Sequence, residues 1–288
     1  MKSAEEVVSS LKHPAVAAAR RGLGQVGRPA VRRATSYLAD GHSLVSQAVD
    51  AGAPLERIFF CHPVEGGEEA ALLARARGAG LACHLVTRGV FFRILGLGYE
   101  TSVRVLAEVR RPAWADLRQV TGPDACVLAG EQIQDPRNVG VLIRTADAWG
   151  LACAAFTADS ADPYCRASVR STTGSAFRVP VAIVADLPGS LARLRQDGLR
   201  IIGTSAHARL ACWDADLTGP CAVVLGNEST GLSEPVRESC DLVVSIPMHG
   251  GARSFNVTVA AGIVLYERGR QKALLGQGTR REGGSRAD

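Results

Sequence analysis

The stretch I-P-M-H-G-G-A-R-S-F-N-V-T-V-A-A-G, Ile246 to Gly262, runs from the end of an apolar strand into a long helical pattern. Two stretches upstream are built the same way. L-G-N-E-S-T-G-L-S, Leu225 to Ser233, leaves the apolar run A-V-V-L and leads into a short helix. N-V-G-V-L-I-R, Asn138 to Arg144, opens a helix after the run C-V-L-A. In an α/β sheet, loops at the carboxyl ends of strands gather around a ligand. The three stretches are therefore read together, as one site.

Working outward, strands and helices alternate from residue 125 onward. Strands are predicted at Cys126–Ala129, Cys153–Phe156, Val179–Val184, Arg200–Thr204, Ala222–Leu225 and Leu242–Ile246. Helices are predicted at Val139–Trp149, Arg166–Thr172, Ser190–Gln196, Glu234–Ser239 and Val257–Ala273. Such alternation gives a parallel sheet covered by helices on both faces. Residues 35–112 form a smaller α/β pattern. It has helices at Ser43–Ala51 and Glu68–Arg77, and strands at Arg57–Cys61, Leu81–Val86 and Ser102–Val109. The expected organisation is a basic arm over 1–34, a small α/β domain over 35–112, a larger domain over 122–275 and a disordered Gly/Arg-rich tail over 276–288.

With 288 residues and 47% hydrophobic content, the chain has enough material for a real core. No apolar run reaches membrane-spanning length. Met1–Leu11 carries Glu5 and Glu6 without a long apolar segment, which reads against a signal peptide. A cytoplasmic protein is expected. The eight cysteines include no C-x-x-C pair. The Cys61-His62 and Cys83-His84 pairs match zinc spacings poorly, and neighbours on a strand point to opposite faces. No metal is expected. The formula G-x-G-x-x-G occurs once, at Gly22–Gly27, but it follows an Arg-rich helical segment rather than a strand, so it reads as a hinge.

Net charge is +5, gathered at the two ends of the chain. Lys2, Lys12, Arg20, Arg21, Arg28, Arg32 and Arg33 face only Glu5 and Glu6 in the first 34 residues. Arg270, Lys272, Arg280, Arg281 and Arg286 dominate the last twenty. Charge so placed suits a phosphate backbone, with Arg32 and Arg33 as candidate RNA contacts. Solvated tails would show the same pattern.

The three stretches, in their order, resemble the signature motifs of the SpoU/TrmH family, RNA ribose 2′-O-methyltransferases of the SPOUT class. The resemblance implies a trefoil-knotted parallel-sheet domain, a homodimer, and S-adenosylmethionine as cofactor. It places the cofactor among Thr204, Ser205, Leu225, Gly226, Asn227, Ile246, Met248, Ser254 and Asn256. It implies catalytic roles for Asn138, Arg144, Glu228, Ser254 and Asn256. The order of elements in 35–112, with the acidic-Gly pair Asp40-Gly41, resembles the substrate domain of rRNA-directed members. Large-subunit (23S) rRNA is thus the expected substrate and tRNA the alternative. Housekeeping modification and antibiotic resistance fit these residues equally well. Arg170, in R-S-T-T-G-S-A-F-R-V-P, matches a recurrent family segment and is expected either to contact RNA or to form an ion pair. One rival reading is a Rossmann-type methyltransferase or dehydrogenase, but Ala129-Gly130-Glu131 opens no glycine run after the first strand; the other is a catalytically silent RNA-binding protein of the same fold.

Elementary chemistry constrains these roles. Arg144 cannot serve as a general base near neutral pH, because a guanidinium keeps its proton. It is expected to bind the target phosphate and 2′-oxygen and to stabilise developing charge. Its neighbours Val141, Leu142 and Ile143 suggest a buried Arg that needs an anionic partner. Glu228 is expected to hold Arg144 or to receive the proton. Asn138 and Ser254 each precede a helical pattern and are expected as N-caps. Val257, Val259, Ala260, Ile263 and Val264 form an apolar face on the last helix, suited to dimer packing or to an ordinary core.

Overall fold

The computed structural model describes residues 6–23, 34–96 and 102–282, with side chains to residue 275. In chain order the elements are β1 (Val7–Val8), α1 (Pro14–Gly22), β2 (Ser36–Asp40), α2 (His42–Asp50), β3 (Leu55–Cys61), α3 (Gly67–Gly78), β4 (Cys83–Val86), α4 (Arg88–Leu95) and β5 (Val105–Arg110). There follow β6 (Cys126–Gly130), α5 (Pro136–Ala148), β7 (Cys153–Thr157), α6 (Arg166–Thr172), β8 (Val181–Val184), α7 (Leu187–Gln196) and β9 (Arg200–Thr204). The chain closes with β10 (Leu210–Ala211), β11 (Cys221–Leu225), α8 (Glu234–Glu238), β12 (Leu242–Ser245) and α9 (Val257–Glu282). By Cα proximity it divides into two compact units, 1–113 with 162–178, and 114–161 with 179–288.

The first unit is a five-stranded sheet in the order β1-β4-β3-β5-β2. β1 and β3 run parallel to β4, and β5 runs antiparallel to both β3 and β2. The described part of the expected basic arm is built into this unit. Val7 and Val8 pair with Leu85 and Val86, and α1 buries Val16 and Ala19. Besides the two-residue β1, two elements escape the periodicity reading. β2 is buried along its whole length, so it shows no alternation of apolar and polar residues. α4 contains Val90, Phe91, Phe92 and Ile94, residues that favour strands as much as helices, and it stops at Gly96 in the left-handed conformation.

Residues 162–178, expected with the C-terminal domain, group with this first unit. The reason is electrostatic. Asp40, at the end of β2, is buried and accepts hydrogen bonds from Arg166 Nε at 3.1 Å and Nη2 at 2.7 Å, and from Arg170 Nη1 at 2.6 Å. Arg111 pairs with Asp162 at 3.0 Å, and Tyr37 stacks on Tyr164 with centroids 4.8 Å apart. A buried carboxylate needs such partners, and α6 supplies them.

The second unit is a seven-stranded sheet, β10-β12-β9-β11-β6-β7-β8, with every pair parallel. Its central strands β6 and β11 are buried throughout, in register from Cys126–Cys221 to Gly130–Leu225. One layer of its core joins Val127, Ala129, Ala222 and Val224 to Leu191 and Leu194 of α7. α9 buries Val257, Ala261, Val264 and Leu265 and leaves Val259 and Tyr266 exposed. The apolar face expected for dimer packing therefore splits: Val257 and Val264 are core, and Val259 stays outside. α9 also continues to Glu282, so the described part of the expected disordered tail is helical. Among the described residues no helix is long and apolar enough to cross a membrane, and no cluster of His, Cys, Asp or Glu is placed to hold a metal ion.

Candidate functional site

The loops that follow β6, β9, β11 and β12 lie at the carboxyl edge of the parallel sheet. α5 starts earlier than its apolar periodicity suggests. Asp135 is the N-cap, its side chain accepting from the Arg137 N–H at 2.8 Å, and Pro136 occupies the first turn. Asn138 is thus not the cap, which frees its side chain for other partners. Its Nδ2 donates to Glu228 Oε1 at 2.9 Å, and its Oδ1 accepts from Asn256 Nδ2 at 3.3 Å. Asn256 caps α9 as well, accepting from the Thr258 N–H at 2.8 Å, so Ser254 is not the cap either. One hydrogen-bonded chain, Glu228–Asn138–Asn256, therefore joins the three sequence stretches.

Glu228 also accepts from the backbone N–H groups of Gln134 at 3.3 Å and Asp135 at 3.4 Å. Partial burial pushes its carboxyl up. The Asn138 amide and the N–H groups of Glu228, Gln134 and Asp135 outweigh burial and hold the group below the usual carboxylate range. At neutral pH Glu228 is an anion already satisfied by donors, and hence a weak base.

The β11–α8 loop is braced from within. The Asn227 N–H donates to the Gly231 carbonyl at 3.0 Å and the Gly231 N–H returns the bond at 2.9 Å. The Asn227 side chain accepts from the N–H groups of Ser229 and Thr230 and donates to the Gln132 carbonyl at 2.8 Å. A Cβ on Gly226 would fall 2.2 Å from the Gly231 carbonyl carbon and 2.3 Å from the Leu232 nitrogen. Gly226 is required by the turn itself. Buried Glu131, at the end of β6, accepts from the Ser233 N–H at 2.9 Å and from the Ser233 hydroxyl, tying the far end of the loop to the sheet.

The loops after β9, β11 and β12 line an open cavity of about 510 Å³. All nine residues expected around the cofactor line it: Thr204, Ser205, Leu225, Gly226, Asn227, Ile246, Met248, Ser254 and Asn256. Glu228 lines it too. So do His207, Arg237 and Phe255, to which the sequence reading assigns no role, and Arg253, which with His249 is expected from its place in the third-motif loop to touch substrate or the other subunit. Glu131 and Gln134 were missed because their partners, Ser233 and Glu228, lie 102 and 94 positions away in the chain. The volume suits a nucleoside-sized ligand. Leu225, Val244, Ile246 and Ala260 provide apolar walls beside the loop backbones.

Arg144 is not brought to this cavity. It is exposed on α5, on the side away from buried Val139, Leu142, Ile143 and Ala146, and forms no hydrogen bond or ion pair among the described residues. Apolar sequence neighbours do not bury a helical residue, because adjacent positions face different directions. Arg170 is engaged with Asp40. Arg32 and Arg33, like Gly24–Gly27 of the expected hinge, lie outside the described residues.

Residues 125–266 match the SpoU rRNA methylase family. An uncharacterized tRNA/rRNA methyltransferase of Mycobacterium avium is 33% identical over 264 residues, covering 90% of this chain and 84% of that protein. The chain belongs to the SpoU methylase family. Among solved structures, the SpoU methyltransferase AviRb from Streptomyces viridochromogenes, in complex with AdoMet, superposes with a TM-score of 0.77 at 31% identity, covering 89% of this chain and 98% of that one. An RNA 2′-O ribose methyltransferase superposes with a TM-score of 0.75 at 27% identity, covering 93% and 100%. The parallel-sheet α/β core is that of SpoU methyltransferases, and the protein is an RNA methyltransferase of this family.

Proposed function

We propose that the protein transfers a methyl group from S-adenosylmethionine to a ribose 2′-oxygen in RNA, with large-subunit rRNA as substrate, acting as a cytoplasmic homodimer. The observation that carries this reading is the Glu228–Asn138–Asn256 chain at the rim of the cavity. The cavity residues suit the cofactor: apolar walls for a nucleobase, loop backbone for a ribose, and a lone carboxylate, Glu228, on one side. Bound there, the cofactor supplies an electrophilic methyl group. The protein's task is to hold a 2′-oxygen in line with it.

Asn138 and Asn256 present amide groups to the incoming ribose, and Glu228 fixes the orientation of Asn138. Satisfied by several donors, Glu228 acts by positioning, and the 2′-OH proton passes to solvent water as the new carbon–oxygen bond forms. Arg144 holds the phosphate beside the target and stabilises charge on the oxygen, for which an unpaired, exposed guanidinium is suited. Ser254 lies beside Asn256 on the cavity wall. The 2′-O assignment is supported by the AdoMet-bound and 2′-O ribose methyltransferase neighbours. The rRNA assignment rests on the additional first unit.

A trefoil knot is part of the same proposal. β12 lies between β9 and β10, both earlier in the chain, and the segment after it contributes Ser254 and Asn256 to the site. The homodimer is supported by the apolar residues left outside on α5 and α9: Val259 is exposed, and Trp149 and Tyr266 pair edge to face at 6.4 Å while both remain exposed.

Incubation with methyl-labelled S-adenosylmethionine and total rRNA or total tRNA, followed by nucleoside analysis, tests the proposal. A labelled 2′-O-methylnucleoside from the rRNA pool is expected. Label on a base, or on tRNA alone, would refute the ribose or the rRNA assignment respectively.

A further inference from the structure

Phe255 sits between Ser254 and Asn256, lines the cavity and is 41% exposed. It stacks on no other ring among the described residues. Burying a phenyl ring is favourable, so a ring left in water beside a polar cluster calls for an explanation. Trp149 and Tyr266, also exposed, at least face each other, and neither lines the cavity. Among the described residues, Phe255 alone of the exposed aromatics adjoins the residues that bind one another across the three motifs.

We infer that Phe255 is the stacking platform for the base of the nucleotide being modified, an inference that rests on the RNA-methylating reading above. Asn256 holds Asn138 at 3.3 Å, and Phe255 lines the same cavity as Asn256, so a ribose presented to this pair brings its base to the wall that carries the phenyl ring. A ribose can reach into a cavity only if its nucleotide leaves the neighbouring stack, and proteins replace that lost stack with an aromatic face. A phenyl ring offers such a face without hydrogen-bond donors or acceptors. It therefore contributes affinity and position and leaves base identity to other contacts. Arg253, two residues away on the same wall and also exposed, is placed to take the adjoining phosphate.

The test compares Phe255→Ala, Phe255→Leu and Phe255→Trp with wild type. It measures KM for the RNA pool that wild type methylates, the Kd of S-adenosylhomocysteine by calorimetry, and mass by light scattering. Ala and Leu are expected to raise KM for RNA about tenfold or more, with Trp restoring it to within a few-fold. Cofactor-product affinity and mass are expected to stay unchanged. Full activity in Phe255→Leu would overturn the inference, since the ring would then only fill space. So would a loss of S-adenosylhomocysteine affinity, which would place the ring over the cofactor, or a change in mass, which would place it against a second copy. If wild type methylates neither rRNA nor tRNA, the enzymatic reading itself fails, and this inference with it.

Discussion

Arg144 and Glu228 look like a charge pair in the sequence, yet they have different surroundings. Glu228 spends its oxygens on Asn138, Gln134 and Asp135, and Arg144 stands exposed on α5. Arg144→Ala is expected to abolish methyl transfer while leaving S-adenosylhomocysteine affinity within a few-fold. Retained transfer would remove Arg144 from catalysis. For Glu228 the pH dependence has a definite sign. Its folded pKa is lowered, so its contribution is complete above the ordinary Glu value of about 4.3 and is lost only as pH falls through the lower folded value. Between pH 6 and 8 the rate is expected to show no titration of this group. An acid limb near pH 6–7 that vanishes in Glu228→Gln would show Glu228 to be a titrating base.

At the scale of elements, the site is a set of loop ends clamped to one sheet edge. Glu131 clamps the start of α8, Asn227 closes the β11 loop on itself, and Gly226 has no room for a methyl group. Gly226→Ala forces the added carbon against backbone atoms that cannot swing away. It is expected to destabilise the fold by about 1–3 kcal/mol and to weaken S-adenosylhomocysteine binding, read by thermal unfolding and calorimetry. An unchanged Tm with normal binding would mean that the loop relaxes freely. The same packing explains why Asn138 is not a cap. The dipeptide Asp135-Pro136 holds the stronger start signal, and the apolar run beginning at Val139 masks it.

At the scale of the whole molecule, the chain leaves the second unit after β7, contributes α6 to the first and returns with β8. Asp40 is the anchor for that excursion. Asp40→Ala leaves two guanidinium groups without their carboxylate and is expected to cost about 3 kcal/mol of stability. Arg170→Ala removes a half-exposed partner and is expected to cost under about 1 kcal/mol. Denaturant unfolding of the two variants measures both, and equal losses would contradict Asp40 as the anchor.

Much of this is legible in the amino-acid sequence alone. The β/α alternation of residues 125–273 and the parallel sheet follow from local signals: apolar runs of strand length, glycine stops and polar residues at strand ends. These signals are short-range, so one sequence carries them. Nine of the residues that line the cavity follow from the resemblance to a known family, seven of them within two of its three short motifs and Thr204 and Ser205 outside them. β2 and α4 are hidden because continuous burial and strand-favouring helix residues erase the periodicity that marks an element. The membership of α6, the exposure of Arg144 and the Glu228–Asn138–Asn256 chain are decided only in three dimensions. The first and last depend on which residue, from 90 to 130 positions away, supplies the partner to a charge or an amide. Composition and spacing specify that a buried polar group must be satisfied; only the packed chain determines by which residue.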